Sequence, residues 1–452
     1  MYSINDDTIT ALATASGAGA ISVIRMSGKE SFSIVDQIFK GAKKISECKT
    51  HTINYGRILD SESNTIDDVL VSVFKNPYSY TGEDSVEVST HGSQIVIKKI
   101  ISLLTSAGAR LAEPGEFTKR AFLNGKIDLA QAEAVADVIN ARTEASLKGA
   151  RNQLDGLLSQ KIETLRTELV NSSSLIELEL DFAEEDLEFL PSEKMISRID
   201  EIVKEISTLL DTYNFGRIIR DGVNVALAGH TNVGKSSLLN YILKESRAIV
   251  SPIPGTTRDV IREDVSIDGI LYRFYDTAGI RFTEDIVERE GVKRSRRSIE
   301  DADIILFIYD VVNGIDKKLL EEVYSLTEKD RVMIVANKSD LSDVKEKEDE
   351  IFISAKTGEG VDKLFEELNK KNLHTKTYSE SSAVVSNIRH YAALQKAKEH
   401  LLKAKESLNM NMTGEFVSVD LRSSIDSLGE IIGTVTTDDI LNNIFDNFCI
   451  GK

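Results

Sequence analysis

The sequence predicts a multidomain chain: an N-terminal α+β domain, a discontinuous helical domain, and an α/β domain inserted between the helical segments. The inserted part is expected to hold a doubly wound, mostly parallel sheet. Three observations predict this. The 452 residues exceed what one ordinary core holds, and about 100–200 residues per domain gives two to four domains. Hydrophobic texture switches from sustained helical spacing to alternating strands and helices at Gly222, and returns to helical spacing after about Lys376. The runs between those switches are short, apolar or β-branched, with helical stretches between several of them, the pattern of a sheet covered on both faces. The boundaries read as 1–116, 117–215, 216–376 and 377–452.

In the first segment, β-rich runs (Ala20 to Arg25, Val69 to Phe74, Ser85 to Ser89) alternate with the helical Ile95 to Ala107. Turn chemistry separates them, as at Ser16-Gly17-Ala18-Gly19 and Glu113-Pro114-Gly115. From Phe117 to about Tyr213 the spacing is helical. Pro191-Ser192-Glu193 opens one helix with Ser192 as the expected cap, and Ile196, Ile199, Ile202, Val203, Ile206, Leu209 and Leu210 give it one apolar face. Strands are expected at Val223 to Ala228, Leu271 to Tyr275, Ile304 to Tyr309, Val332 to Ala336 and Ile351 to Ile353. Ile388, Tyr391, Leu394 and Leu401 with Leu402 then stand in helical register.

Composition narrows the function classes. Apolar residues make up 41% and charged residues 28%, a globular balance. No apolar run approaches the roughly 20 residues that span a bilayer, and the first residues lack a basic stretch followed by an apolar one. Two cysteines, Cys48 and Cys449, make no disulfide framework and fit a reducing compartment; cytoplasmic location and no membrane partner are expected. A formal charge of −18 argues against coating nucleic acid with the whole surface, though not against a local basic site. The densest basic run, Lys293-Arg294-Ser295-Arg296-Arg297, reads as a solvated helix face.

The inserted segment carries the chemistry. Gly229-His230-Thr231-Asn232-Val233-Gly234-Lys235-Ser236 has the spacing G-x-x-x-x-G-K-[ST], between an expected strand and the helical Ser237-Leu238-Leu239-Asn240. Glycines let backbone N–H groups close around phosphate oxygens, Lys235 brings positive charge to the β- and γ-phosphates, and the Ser236 hydroxyl suits Mg²⁺. Asp276-Thr277-Ala278-Gly279 follows a strand, where Asp276 can hold the metal through water and Gly279 can meet the γ-phosphate. Gly255-Thr256-Thr257-Arg258-Asp259 lies between, where a loop would bring Thr257 to Mg²⁺. Asn337-Lys338-Ser339-Asp340 ends another strand, and the Asp340 carboxylate can accept from guanine N1–H and N2–H₂, a donor pair that adenine lacks. Ser354-Ala355-Lys356 follows the next, where backbone N–H can reach guanine O6. These five motifs, in this order, resemble the small GTPase superfamily, and GTP is the expected nucleotide.

Water activation is less legible. The position after Asp276-Thr277-Ala278-Gly279 is Ile280, which has no hydrogen-bonding group to orient water. Arg258 and Arg281 are nearby but can equally be surface ion-pair residues. Asn232 offers an oxygen to a monovalent cation beside the phosphates, and a carboxylate within Glu284 to Glu290 can orient water. The residues alone leave these open.

Beyond the inserted domain the chain resembles one family closely, the MnmE or TrmE tRNA-modification GTPases. The resemblance rests on Tyr80-Thr81-Gly82-Glu83-Asp84 with His91-Gly92, on Glu113 through Lys126, on Asp128 through Ala134, and on the closing Phe448-Cys449-Ile450-Gly451-Lys452. It implies GTP contacts at Asn232, Val233, Gly234, Lys235, Ser236, Ser237, Thr256, Thr257, Asp276, Thr277, Ala278, Gly279, Asn337, Lys338, Asp340, Ser354, Ala355 and Lys356. Catalysis would rest on Lys235, Asn232 and Glu288, the last orienting water. Mg²⁺ would sit on Ser236 and Thr257; K⁺ would sit on Asn232, Thr256 and the backbone carbonyls of Ser251 and Ile253. Arg25, Glu87, Lys126 and Lys452 would contact a tetrahydrofolate derivative, 5-formyl or 5,10-methylene.

The resemblance also implies a homodimer, K⁺-dependent pairing of G domains, and tRNA as substrate. A flavin-dependent partner of the MnmG or GidA type would carry the FAD, form a hetero-oligomer with this chain, and join it in adding an aminomethyl or carboxymethylaminomethyl group at C5 of the wobble uridine. A ribosome-assembly GTPase switch is the alternative, but it needs a dedicated basic RNA-binding module that a −18 chain makes less natural. Cys449 reads either as a nucleophile or as a packing residue beside Phe448 and Ile450.

Overall fold

A computed structural model describes residues 7–181, 191–245, 262–276, 296–341, 349–372, 382–446 and 448–452. In chain order the first elements are β1 (Ile9–Leu12), β2 (Ile21–Ser27), α1 (Ser31–Ile38), β3 (Phe39–Gly41), β4 (Thr52–Leu59), β5 (Thr65–Phe74), β6 (Ser85–His91), α2 (Gln94–Ser106) and β7 (Arg110–Leu111). Helices follow: α3 (Glu116–Leu123), α4 (Leu129–Asn140), α5 (Glu144–Leu154), α6 (Leu157–Asp181), α7 (Ser192–Asp211) and α8 (Tyr213–Asp221). Next come β8 (Val223–Ala228), α9 (Lys235–Glu245), β9 (Arg262–Ile267), β10 (Ile270–Asp276), β11 (Ile304–Asp310), α10 (Lys317–Leu326), β12 (Val332–Asn337), β13 (Glu350–Phe352) and α11 (Val361–Asn372). The chain closes with α12 (Ile388–Asn409), α13 (Gly414–Ile432) and α14 (Asp438–Phe445). It divides into two compact units: 1–136 with 154–187 and 414–452, and 137–153 with 188–413.

The first unit is built on a seven-stranded sheet of order β3-β4-β5-β6-β2-β1-β7, antiparallel except where β7 joins β1. Alternation along its strands decides the faces. Ile24, Met26, Val69, Val71, Val73, Val86 and Val88 point to one side, where Ile34, Val35 and Ile38 of α1 and Ile97, Ile100 and Leu104 of α2 cover them. The opposite residues, Arg25, Leu70, Ser72, Glu87 and Ser89, form the other face. That face is covered at its β1 end, where Phe117 of α3 packs on Ile9, Ala11 and Ala112, and lies open further along at Ile53, Tyr55 and Leu70. In the same unit α6 packs on α13 with Arg422 paired to Glu177, and Leu441 and Phe445 of α14 pack on Leu129 and Ala132 of α4. The C-terminus returns to α3: Ile450 bridges Pro114, and Gly115 donates to the Cys449 carbonyl.

The second unit centres on a six-stranded sheet of order β13-β12-β11-β8-β10-β9, parallel except for β9 against β10. Both faces are buried, as the apolar runs predict. Val223, Val225 and Leu227 of β8 face α9 and α11, while Ala226 and Ala228 face α10. β9 was not among the expected strands: its sequence, Arg-Glu-Asp-Val-Ser-Ile, buries only Val265 and Ile267 as an edge strand needs. α7 begins at Ser192 itself, so Pro191 occupies the cap position and no side chain caps it; the expected Ser192 cap is corrected. Its apolar face is as expected, with Ile199, Ile202, Ile206 and Leu209 buried. In α12 the buried stripe is Ala393, Leu394, Ala397, Leu401 and Ala404 with His390, whereas Ile388 and Leu402 face solvent. Small residues there allow α7 to approach closely, and Lys405 pairs with Asp200 between these two helices.

Candidate functional site

The C-terminal ends of β8, β11 and β12 place the site, as parallel sheets do. β8 ends at Ala228 and α9 starts at Lys235, so Gly229 to Gly234 must turn sharply. Two glycines make that turn possible. Gly229 has φ of +143°, and a Cβ there would lie 2.1 Å from the Ile308 carbonyl oxygen; Gly234 has φ of +98°, and a Cβ would lie 2.1 Å from Asn337 Nδ2. Asn232 also takes a left-handed conformation, φ +67°, which asparagine tolerates better than most residues. Its side chain is exposed, as are those of Ser236 and Ser237. Lys235 is 7% exposed, and its ammonium donates to the carbonyls of Gly229 and His230, each at 2.8 Å, which holds the cation across the loop.

Asn337, 1% exposed, joins this loop to the other recognition segments. Its Nδ2 donates to the Val233 carbonyl at 2.7 Å, and its Oδ1 accepts from the Ala355 N–H at 2.9 Å. Ser354 Oγ donates to Asp340 Oδ1 at 2.7 Å, fixing the carboxylate expected to meet guanine, and Asp340 is itself exposed. Within Ser354-Ala355-Lys356, the segment expected to present a backbone N–H to guanine O6, the Ala355 N–H is engaged by Asn337.

Asp310, at the end of β11, is a site residue that the motifs missed. It pairs with Lys338 at 2.6 Å and accepts from Val312 N–H and Asn313 Nδ2. Burial pushes its carboxyl up, but those donors outweigh burial and hold it below the usual carboxylate range. The sequence signal was a carboxylate at a strand end followed by Asn313-Gly314. Asp310, Lys338, Asn313, Asn232 and His230 line a cavity of about 310 Å³ beside the loop. His230 reaches across it to Asp316 at 2.5 Å. A larger cavity, about 520 Å³, lies at the opposite strand ends, by Arg220, Arg273 and Val384; the nucleotide motifs are not there.

Thr277, Ala278, Gly279, Ser251, Ile253, Thr256, Thr257, Arg258, Arg281 and Glu288 lie outside the described residues. So does the side chain of Asp276, whose backbone ends β10 opposite Leu227. Of the basic run, Arg296 pairs with Glu322 and Arg297 with Asp301.

In the first unit, Arg25 and Glu87 stand directly opposite each other on β2 and β6, with Arg25 Nη2 2.8 Å from Glu87 Oε1. Lys126 donates to the Pro77 carbonyl at 3.1 Å. Lys452 follows Gly451, which is pressed against the Leu12 carbonyl, one residue from the partner of Arg25 on β1. Cys449 is exposed. Glu83 is reached by Arg120 at 3.2 Å and by Ser27 Oγ at 2.7 Å; Arg120 also bonds Asp7 and Glu116. The Tyr80-Thr81-Gly82-Glu83-Asp84 and Glu113 to Lys126 motifs are therefore locked together.

A phosphate loop at one strand end, tied through a buried asparagine to an Asn-Lys-x-Asp segment at another, defines a P-loop GTPase. Residues 129–449 match the family described as MnmE helical domain, and residues 8–126 match GTP-binding protein TrmE N-terminus. The tRNA modification GTPase MnmE of Christiangramia forsetii is 45% identical over 473 aligned residues, covering 99% of each chain. That of Clostridioides difficile is 45% identical over 458, with the same coverage. The chain belongs to the MnmE family of tRNA modification GTPases. A solved structure of an Aquifex aeolicus Era variant with GDP and aluminium fluoride is 28% identical, covers 40% of this chain and 67% of that one, and has a TM-score of 0.28. Among the described residues no helix is long and apolar enough to cross a membrane.

Proposed function

We propose that this chain hydrolyses GTP to support modification of tRNA at C5 of the wobble uridine, adding an aminomethyl or carboxymethylaminomethyl group together with a flavin-dependent partner that carries the FAD. The observation that carries this reading is the coexistence of two built sites: the Asn337-centred nucleotide site and the Arg25–Glu87 pair on the N-terminal sheet. Full-length identity to proteins named tRNA modification GTPase supports joining them in one activity.

In the nucleotide site Lys235 meets the β- and γ-phosphates, the loop N–H groups hold their oxygens, and Asp340 reads the guanine edge. Ser236 and Asn232 present exposed oxygen donors beside Lys235, the chemistry that Mg²⁺ and K⁺ favour. Mg²⁺ would rest on Ser236 and Thr257, K⁺ on Asn232, Thr256 and the Ser251 and Ile253 carbonyls. Both ions supply positive charge to the phosphates. Glu288 orients the attacking water.

Arg25, Lys126 and Lys452 are suited to the carboxylates and carbonyl of a tetrahydrofolate derivative, and Glu87 to pterin donors. The exposed Ile53, Tyr55 and Leu70, on the same open sheet face, suit a second copy of the chain and support a homodimer. The protein works in the cytoplasm, where tRNA is. Nucleoside analysis of tRNA from cells lacking the chain tests the reading. Wobble modification should be lost and restored by the wild type but not by Lys235→Ala; unchanged wobble uridines would overturn it.

A further inference from the structure

Arg25 is held in an unusual way. Its guanidinium lies over two rings, 5.5 Å from the centroid of Tyr80 and 5.7 Å from that of Phe117. Glu87 Oε1 accepts from Nε at 2.9 Å and lies 2.8 Å from Nη2 as an ion pair, and the Nη1 side has no protein partner among the described residues. An arginine side chain has many rotamers, and fixing it before a ligand arrives removes that entropy from the binding step. The two rings are not equivalent. Phe117 is fully buried in the core between α3 and β1. Tyr80 is 39% exposed and sits on the connection from Asn76 to Asp84, so something must anchor that connection.

The anchors are dense. Tyr80 Oη is 2.9 Å from Thr118 Oγ1, beside Phe117 on α3. Asn124 Nδ2 donates to the Thr81 carbonyl, Asn76 N–H donates to Asp84, and Glu83 is bound by Arg120, which is 4% exposed. The same connection touches a second candidate contact. Lys126 donates to the Pro77 carbonyl, and its methylenes pack so tightly on Gly82 that a Cβ there would lie 3.3 Å from Cγ.

We propose that Tyr80 is a positioning residue of the tetrahydrofolate site: with Phe117 it clamps the Arg25 guanidinium in a ligand-ready orientation without itself contacting the ligand. This rests on the reading of Arg25 and Glu87 as ligand contacts. Thr118 fixes the ring through its hydroxyl, and the Glu83–Arg120 bond fixes the backbone that carries it.

The test uses full-length protein and two readouts. The first is calorimetric titration with 5-formyltetrahydrofolate. Tyr80→Ala should weaken binding about tenfold, the range of a partly desolvated cation–π contact, and Tyr80→Phe should stay within about threefold of wild type. The second is the rate of phenylglyoxal modification at Arg25 in ligand-free protein, followed by peptide mass spectrometry. Tyr80→Ala should speed it several-fold and Tyr80→Phe should not. GTP affinity and melting temperature serve as folding controls; if Tyr80→Ala melts early, Tyr80→Leu takes its place.

Weaker binding with unchanged Arg25 reactivity would make Tyr80 a direct ligand contact and overturn the proposal. Faster modification with unchanged affinity would overturn it too. If wild type fails to bind 5-formyltetrahydrofolate while Tyr80→Ala still exposes Arg25, the folate reading falls and the clamp stands without a ligand role.

Discussion

Asn337→Ala is the substitution from which the nucleotide site has most to lose. The side chain is 1% exposed and makes two hydrogen bonds, to the Val233 carbonyl at 2.7 Å and from the Ala355 N–H at 2.9 Å. Truncation leaves both backbone groups buried without a partner, at about 1–3 kcal/mol each. The total, about 2–6 kcal/mol, divides between fold stability and the geometry that nucleotide binding needs. If only about 2 kcal/mol falls on that geometry, GTP affinity drops about 30-fold. Titration with a fluorescent GTP analogue, alongside thermal unfolding, separates the two shares. Asn337→Asp sharpens the test. It keeps an acceptor for Ala355 but sets an oxygen against the Val233 carbonyl, so it should rescue little. GTP affinity within threefold of wild type for Asn337→Ala, with unchanged melting, would refute the idea that this residue couples the two loops.

Three further outcomes are expected. Exchanging Na⁺ for K⁺ at constant ionic strength should raise GTP turnover strongly; equal rates would remove the cation role of Asn232. Glu288→Ala should lower hydrolysis by roughly 10²-fold or more with GTP affinity nearly intact, the scale of a lost water-orienting group; a large loss of binding would make it structural. The Asp310 carboxyl is depressed in the folded state, so its contribution is present above the ordinary carboxylate pKa of about 3.9 and fades as pH falls through the lower folded value. The gap in unfolding midpoint between wild type and Asp310→Asn should therefore hold from neutral pH to about 5 and narrow below about 4; a gap constant to pH 2 would count against the Lys338 pairing.

The central parallel strands were legible because they are short apolar runs buried on both faces, as in β11, where every residue is buried. β9 escaped because an edge strand covers one face only and needs few apolar residues. The phosphate loop was legible through its glycines, whose backbone shape no other residue easily adopts. Asp310 was not, because a strand-end aspartate followed by Asn313-Gly314 reads as an ordinary turn; its meaning comes from Lys338, in the segment that follows β12.

By itself the sequence determined those features that local chemistry dictates: strand and helix periods, the turn glycines, the order of the nucleotide motifs and the resemblance to one family. Only the tertiary structure decided which separated residues act together. Val233, Asn337 and Ala355 are joined by two hydrogen bonds across three segments, and Arg25 meets Glu87, Tyr80 and Phe117 from four. The physical reason is range. Backbone preference and periodicity act over a few residues, whereas a hydrogen bond or a ring–cation contact depends on where strand order and register bring distant side chains.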